Sequence, residues 1–142
     1  TDHVANQLKL KLGGDDVWGA LAGFPGIGTS LPILLSEGIN KNRITLDQLV
    51  NLTSANTSKI FGLSDKGNIS TGFDADITLI DLKKETKVSP ELFGGFSDYL
   101  VYDGWNLKGW PVKTIVRGTL IAEDFEVVGK PGYGKLVSRK LS

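Results

Sequence analysis

The strongest constraint on the fold is an ordering: signals for helix fill the chain up to Leu63, and signals for strand begin only after Gly67. Helices followed by strands argue for two packing units of different kinds and against a single alternating βαβ sheet. The class expected is therefore α+β, with a boundary at Leu63 to Gly67. On the helical side, Thr29 or Ser30 can cap a helix that tolerates Pro32 in its first turn, gathers Leu31, Leu34 and Leu35 on one face, and stops at Gly38. Thr45-Leu-Asp-Gln48 is a capping box, followed by Leu49, Val50 and a polar stop over Asn51 to Ser54. A short third helix is expected over Ala55 to Phe61, with Asn56 as its cap and Gly62 closing it. On the strand side, Ile77 to Asp81 alternates with period two. Lys113 to Ala122 reads as strand, turn at Arg117-Gly118, and return strand, with Phe125 to Val128 as a short continuation. The tail from Gly129 sets Lys130, Lys135, Arg139 and Lys140 among glycines and is expected to be basic and extended.

Ahead of the first helix, Gln7 to Lys11 is a brief polar/apolar alternation that ends at Gly13-Gly14-Asp15-Asp16. The stretch Trp18 to Gly28 is apolar yet holds four glycines and a proline, which suits neither helix nor strand, so a close-packed loop is expected. Its Gly23-Phe-Pro-Gly26-Ile-Gly28 spacing is G-x-x-G-x-G, follows no strand and lacks the Lys-Ser/Thr pair of a phosphate loop. Two readings stay open: a tight turn into the Thr29 helix, or backbone groups near Ala22 and Gly23 that face a ligand where small side chains allow close approach.

Lys+Arg and Asp+Glu balance at 16 each, so no global field favours nucleic acid or an anionic membrane. No apolar run approaches the roughly 20 residues that cross a bilayer. The absence of cysteine excludes disulfides and thiolate metal sites and is compatible with a reducing cytoplasm, where a soluble protein is expected. The aromatics Phe93, Phe96, Tyr99, Tyr102, Trp105 and Trp110 have only Lys108 interleaved, which favours packing against a neighbouring unit or subunit over stacking on bases. Asp74 and Asp76 sit at a turn entering a strand, their usual setting. Asp2-His3 places an acid beside the sole histidine, and adjacent residues on an extended segment point to opposite sides. Taken alone the pair is an ordinary solvated one, and one histidine cannot build a His-rich metal centre.

The succession says more than any member of it. Thr1-Asp2-His3, Ala22-Gly23-Phe-Pro-Gly26-Ile-Gly28, Leu31 to Gly38, Arg43-Ile-Thr-Leu, Thr53 to Leu63, and Lys66-Gly-Asn-Ile-Ser-Thr-Gly72-Phe-Asp-Ala-Asp-Ile77 together resemble the C-terminal part of cyclic amidohydrolases. Ser97-Asp98-Tyr99, Trp105 to Val112, Ile115 to Gly118 and Gly129 to Lys135 are similar to the dihydropyrimidinase/hydantoinase branch. Dihydroorotases commonly follow the Asp-His pair with Ala-Pro-His, where this chain has Val4-Ala5-Asn6. The resemblance implies the end of a (β/α)₈ barrel over residues 1–63, β-sandwich strands over 64–128 and an extended tail over 129–142. Such a barrel needs about 200 residues or more, so the chain reads as cut from something longer.

The resemblance further implies that Asp2 is both a catalytic residue and a ligand of a two-metal zinc centre, the remaining ligands lying upstream. A metal-bound hydroxide would attack the ring carbonyl, and the main chain of Ala22 and Gly23 would bind the substrate. Implied partners are the N-terminal remainder, a small cyclic amide and further copies in a homo-oligomer. The isolated chain is expected to lack zinc and activity. Dihydroorotase or allantoinase activity, or a non-catalytic dihydropyrimidinase-related scaffold, are the alternatives.

Overall fold

The computed structural model describes residues 2–139; Thr1 of the opening motif and Lys140 of the basic tail lie outside the described residues. Helical and strand elements follow one another as the α+β reading requires. Helix α1 (Ser30–Ile33) holds Pro32 in its first turn and runs on into a wider π-helical stretch, Leu34–Ile39. The expected caps work in the opposite sense. Thr29 Oγ1 and Ser30 Oγ donate to the Gly26 carbonyl at 2.9 and 3.2 Å, tying the helix to the preceding loop instead of accepting from its own N–H groups. Gly38 is not a stop: it is buried within the π-helical stretch, and its carbonyl accepts from Arg43 N at 2.8 Å.

Helix α2 (Leu46–Val50) starts on the capping box read from the sequence. Gln48 N donates to Thr45 Oγ1 at 3.2 Å, and Thr45 N donates to Gln48 Oε1 at 2.8 Å, so two otherwise orphaned donors are satisfied reciprocally. The polar stretch after it does not end the helix. Asn51–Ala55 is π-helical and leads into α3 (Asn56–Ile60), so Asn56 lies inside a helical run and caps nothing. Thr53 and Thr57 donate their hydroxyls to the Leu49 and Leu52 carbonyls at 2.8 and 3.0 Å, absorbing acceptors that the widened turn leaves free. Gly62 does close the run. With φ at +67°, it donates to Lys59 O while Leu63 N donates to Ser58 O, the bond pair of a Schellman ending.

The sheet has the strand order β1-β2-β3-β4, from β1 (Ile77–Lys87), β2 (Asn106–Val116), β3 (Thr119–Glu123) and β4 (Glu126–Val127). β1 runs past Asp81 to Lys87 beside β2; it is an edge strand, and Lys83, Lys84 and Glu85 reach water there, which hides its alternation and discourages further pairing. β2 begins well before Lys113; Gly109 and Pro111 mask its alternation in the sequence. Arg117 and Gly118, both at positive φ, form the two-residue turn that matches strand twist, and Val116 pairs with Thr119 across it. Asp124 and Phe125 repeat that conformation before β4.

The described residues divide into two compact units, one taking the chain up to Glu37 with Leu82–Trp110, the other Gly38–Asp81 with the chain from Pro111 on. The first is built on Val88, Leu107 and Trp110, with Leu92, Phe93, Leu100 and Tyr102 against them. Trp110 is fully buried and satisfies its Nε1–H on the Leu107 carbonyl at 2.9 Å. Much of the aromatic cluster therefore builds this core, and only Phe96 and Trp105 keep about half or more of their surface exposed.

In the second unit, Asp74 and Asp76 both bind Lys66, and Asp76 also accepts from Arg117 N at 2.8 Å. Beyond that turn, the Arg117 guanidinium lies 4.5 Å over the Tyr133 ring and donates to the Tyr133 carbonyl, pinning the tail to the hairpin. The Asp74 and Asp76 carboxylates hold the Lys66 ammonium above its ordinary pKa. Partial burial opposes ionisation of Asp76, but the bonds from Lys66 and the Arg117 N–H outweigh it and lower its pKa. A lowered carboxyl contributes stability above its unfolded value, near 3.9, that is lost as pH falls through the folded value. The raised Lys66 contributes below about 10.4 and is lost only above its folded value. Asp76→Asn is expected to cost about 1–2 kcal/mol at pH 7 and much less at pH 3. Urea denaturation at the two pH values measures this, and an equal loss at both would contradict the assignment.

Candidate active site

The loop from Trp18 to Gly28 is anchored on the N-terminal segment by a parallel bridge between His3 and Phe24. Phe24 N donates to the Asp2 carbonyl at 3.3 Å, and Val4 N donates to the Phe24 carbonyl at 3.1 Å. The neighbouring Gly23 stands at φ +74°, where a side chain would be strained. A Cβ there would also lie 2.9 Å from Val4 Cβ and 3.1 Å from the Asp2 carbonyl oxygen. Glycine at this position is what lets the loop reach Asp2. Of the two readings of the loop, the turn into α1 is present as the Gly26 contacts with Thr29 and Ser30, and Gly23 and Phe24 also meet the main chain of Asp2.

Asp2 is exposed and itself adopts a left-handed backbone, φ +49°. Aspartate tolerates that region better than most residues, and such departures gather where a side chain must be aimed. His3 faces the loop. Its Nδ1 accepts from Gly26 N at 3.1 Å and Ile27 N at 3.3 Å, which puts the proton of the neutral ring on Nε2 and leaves no free lone pair for a metal. The segment after it is fixed as well. Tyr99 donates to Asn6 Oδ1 at 2.6 Å, and Leu8 N donates to Asp98 at 2.8 Å. Burial, and then the charge of Asp98, hold the Tyr99 hydroxyl above its ordinary pKa, so it stays a donor.

Beside the loop lies a cavity of about 260 Å³ lined by His3, Pro25, Gly28, Phe93, Phe96 and Leu100 among others. Among the described residues His3 is its only titratable lining group, so the cavity offers shape more than charge. Among the described residues no three His, Cys, Asp or Glu side chains converge as a metal site would require. Asp2 offers a carboxylate oxygen donor, chemically suited to zinc, and it belongs to no group of three such side chains among the described residues.

Lys11 is the residue that sequence reasoning missed. Its ammonium donates to the Leu21 carbonyl and, at 2.7 Å, to the Gly23 carbonyl. Within a Leu/Lys alternation nothing marks one lysine as different from Lys9.

A profile described as the Amidohydrolase family matches residues 12–121. The chain belongs to the amidohydrolase family. It is 39% identical to an L-hydantoinase of Paenarthrobacter aurescens over 99% of this chain and 31% of that protein. It is 40% identical to a dihydroorotase of Methanosphaera stadtmanae over 89% of this chain and 29% of that protein. A crystal structure of a D-hydantoinase superposes with a TM-score of 0.92 at 37% identity, covering 99% of this chain and 31% of that one. The chain thus spans about a third of the length of the relatives it matches. Relatives of both hydantoinase and dihydroorotase name match its sequence, a D-hydantoinase shares its fold, and among the described residues no helix is long and apolar enough to cross a membrane.

The Gly23 geometry makes a direct prediction. Gly23→Val combines an unfavourable φ with a collision against Val4, and is expected to destabilise the first unit by about 2 kcal/mol or more. Ala22→Gly leaves the bridge intact and is expected to cost under about 1 kcal/mol. Denaturation midpoints of the two variants compare these values, and a Gly23→Val protein as stable as the unsubstituted chain would show that the bridge is not formed.

Proposed function

We propose that this chain is the C-terminal part of a metal-dependent hydrolase that opens cyclic amides of the dihydropyrimidine or hydantoin kind. The observation that supports the proposal is the His3–Phe24 bridge, which brings the main chain of Gly23 and Phe24 against the main chain of Asp2. The hydantoinase and dihydroorotase names of its relatives supply the substrate class. On this reading residues 1–63 finish a (β/α)₈ barrel whose chemistry lies at the strand C-termini, and residues 64–128 belong to a β-sandwich.

Asp2 would be one ligand of a two-zinc centre, with the others supplied by the N-terminal remainder of the protein. Zinc, when bound, polarises the ring carbonyl and activates a water. Asp2 accepts the proton lost by the attacking water and returns it to the ring nitrogen as the C–N bond breaks, so one carboxylate is base and then acid. The carbonyl carbon gains the oxygen, the nitrogen gains the proton, and one water is consumed. Ala22 and Gly23 hold the ring through main-chain hydrogen bonds.

Within the family, Asn6 favours the hydantoinase branch over dihydroorotase. It is neutral and only 3% exposed, which makes it a poor partner for a substrate carboxylate. Exposed apolar side chains, Trp18 at 92% and Ile69 at 81% among them, support contacts with the remainder of the protein or with further copies.

Assay of the full-length polypeptide carrying this stretch on dihydrouracil, hydantoin, dihydroorotate and allantoin tests the reading. Turnover of one of the first two is expected, with Asp2→Asn lowering kcat by about 10²–10⁴-fold. The 142-residue chain by itself is expected to show none, since one carboxylate does not hold a zinc. An inactive full-length protein would favour the non-catalytic scaffold, and an undiminished Asp2→Asn enzyme would remove Asp2 from the chemistry.

A further inference from the structure

A lysine ammonium has three donors and no acceptor, and it is most often spent on water or a carboxylate. Lys11 instead donates to two main-chain carbonyls of one short loop, Leu21 and Gly23, and is itself half-buried. These two carbonyls flank Ala22. In a trans peptide each carbonyl is locked in one plane with the next residue's N–H, pointing the opposite way. Holding the Leu21 oxygen therefore sets the direction of the Ala22 N–H, and holding the Gly23 oxygen sets that of the Phe24 N–H, which donates to the Asp2 carbonyl.

The peptide unit between them, the Ala22 carbonyl with the Gly23 N–H, is then carried on α-carbons fixed from both sides. Such a unit presents an acceptor and a donor. The Ala22 N–H, lying opposite a carbonyl that a cation polarises, is a strengthened donor. A ring that contains an amide or imide offers the complementary N–H and C=O.

We propose that Lys11 is a positioning residue for substrate: its ammonium clamps the main chain on both sides of Ala22 and presents the Ala22–Gly23 amides to a cyclic amide beside Asp2. This rests on the reading of that loop as the substrate wall. Lys11 does not touch the reacting atoms; it acts through the backbone. Loss of the clamp should therefore weaken ring binding alike in the ground state and the transition state.

The test uses the full-length polypeptide with Lys11→Met, which keeps the stem and removes the donors, and Lys11→Arg, which keeps a cation and donors. Lys11→Met is expected to raise KM for hydantoin or dihydrouracil by about tenfold or more, the range of a lost charge-assisted bond, with kcat little changed. Lys11→Arg is expected to recover part of the loss. Hydrogen exchange in the peptide spanning residues 18–28 is expected to quicken in Lys11→Met alone. Unchanged exchange overturns the clamp, and faster exchange with unchanged KM overturns its role in binding substrate. A fall in kcat and melting temperature with constant KM makes Lys11 merely structural and also overturns the proposal. If the unsubstituted full-length protein turns over no cyclic amide, the reading of the loop fails, while the exchange result still decides the clamp.

Discussion

The contact of Gly23 with Val4 and the Asp2 carbonyl is the constraint from which the geometry of the site follows. Because residue 23 has no side chain and sits at φ +74°, the loop can lie against the N-terminal segment closely enough for Phe24 and Val4 to exchange backbone bonds across the bridge. Once that register is set, the rest is determined outward. His3 is turned to the loop and spends Nδ1 on Gly26 and Ile27, Asp2 is left exposed, and Gly26 meets the hydroxyls that enter α1. Lys11 ties the loop through the Leu21 and Gly23 carbonyls. The N-terminal segment and the main chain of the loop are thereby held together with no regular secondary structure longer than a turn.

What the sequence made legible were the features whose cause is local. The Thr45 capping box, the Gly62 ending and the Arg117-Gly118 turn each depend on a few adjacent residues, and each is found where their chemistry put it. The misreadings share a different cause. Asn51 to Ser54 looked like a stop because polar residues compete for backbone bonds, yet in place the threonine hydroxyls bond back along the helix and let it continue. The lengths of β1 and β2 come from pairing within a sheet, which charged edge residues, a glycine and a proline hide from any periodicity. Trp110 and its aromatic neighbours were assigned outward because nothing in their spacing names the Val88 and Leu107 that cover them.

The candidate site was legible in another sense. No local chemistry distinguishes Asp2 from a solvated acid, and the loop's glycines allowed a bland turn as readily as a ligand wall. The ordered series of motifs is what proposes them together; the structure joins their neighbours His3 and Phe24 in a bridge across more than twenty residues of chain. Lys11 escaped both routes because its partners are carbonyls, which every residue possesses and no sequence advertises.

The most direct test of this account is the distance between Gly23 and Val4. With glycine α-protons and valine methyls selectively labelled, nuclear Overhauser spectroscopy should show a strong cross-peak from the Gly23 α-protons to a Val4 methyl, since a Cβ at Gly23 would meet that methyl. Its presence places the Gly23 backbone against Val4, as the bridge requires. Its absence, with the Gly23 α-protons contacting solvent or other residues instead, would contradict the bridge and with it the site.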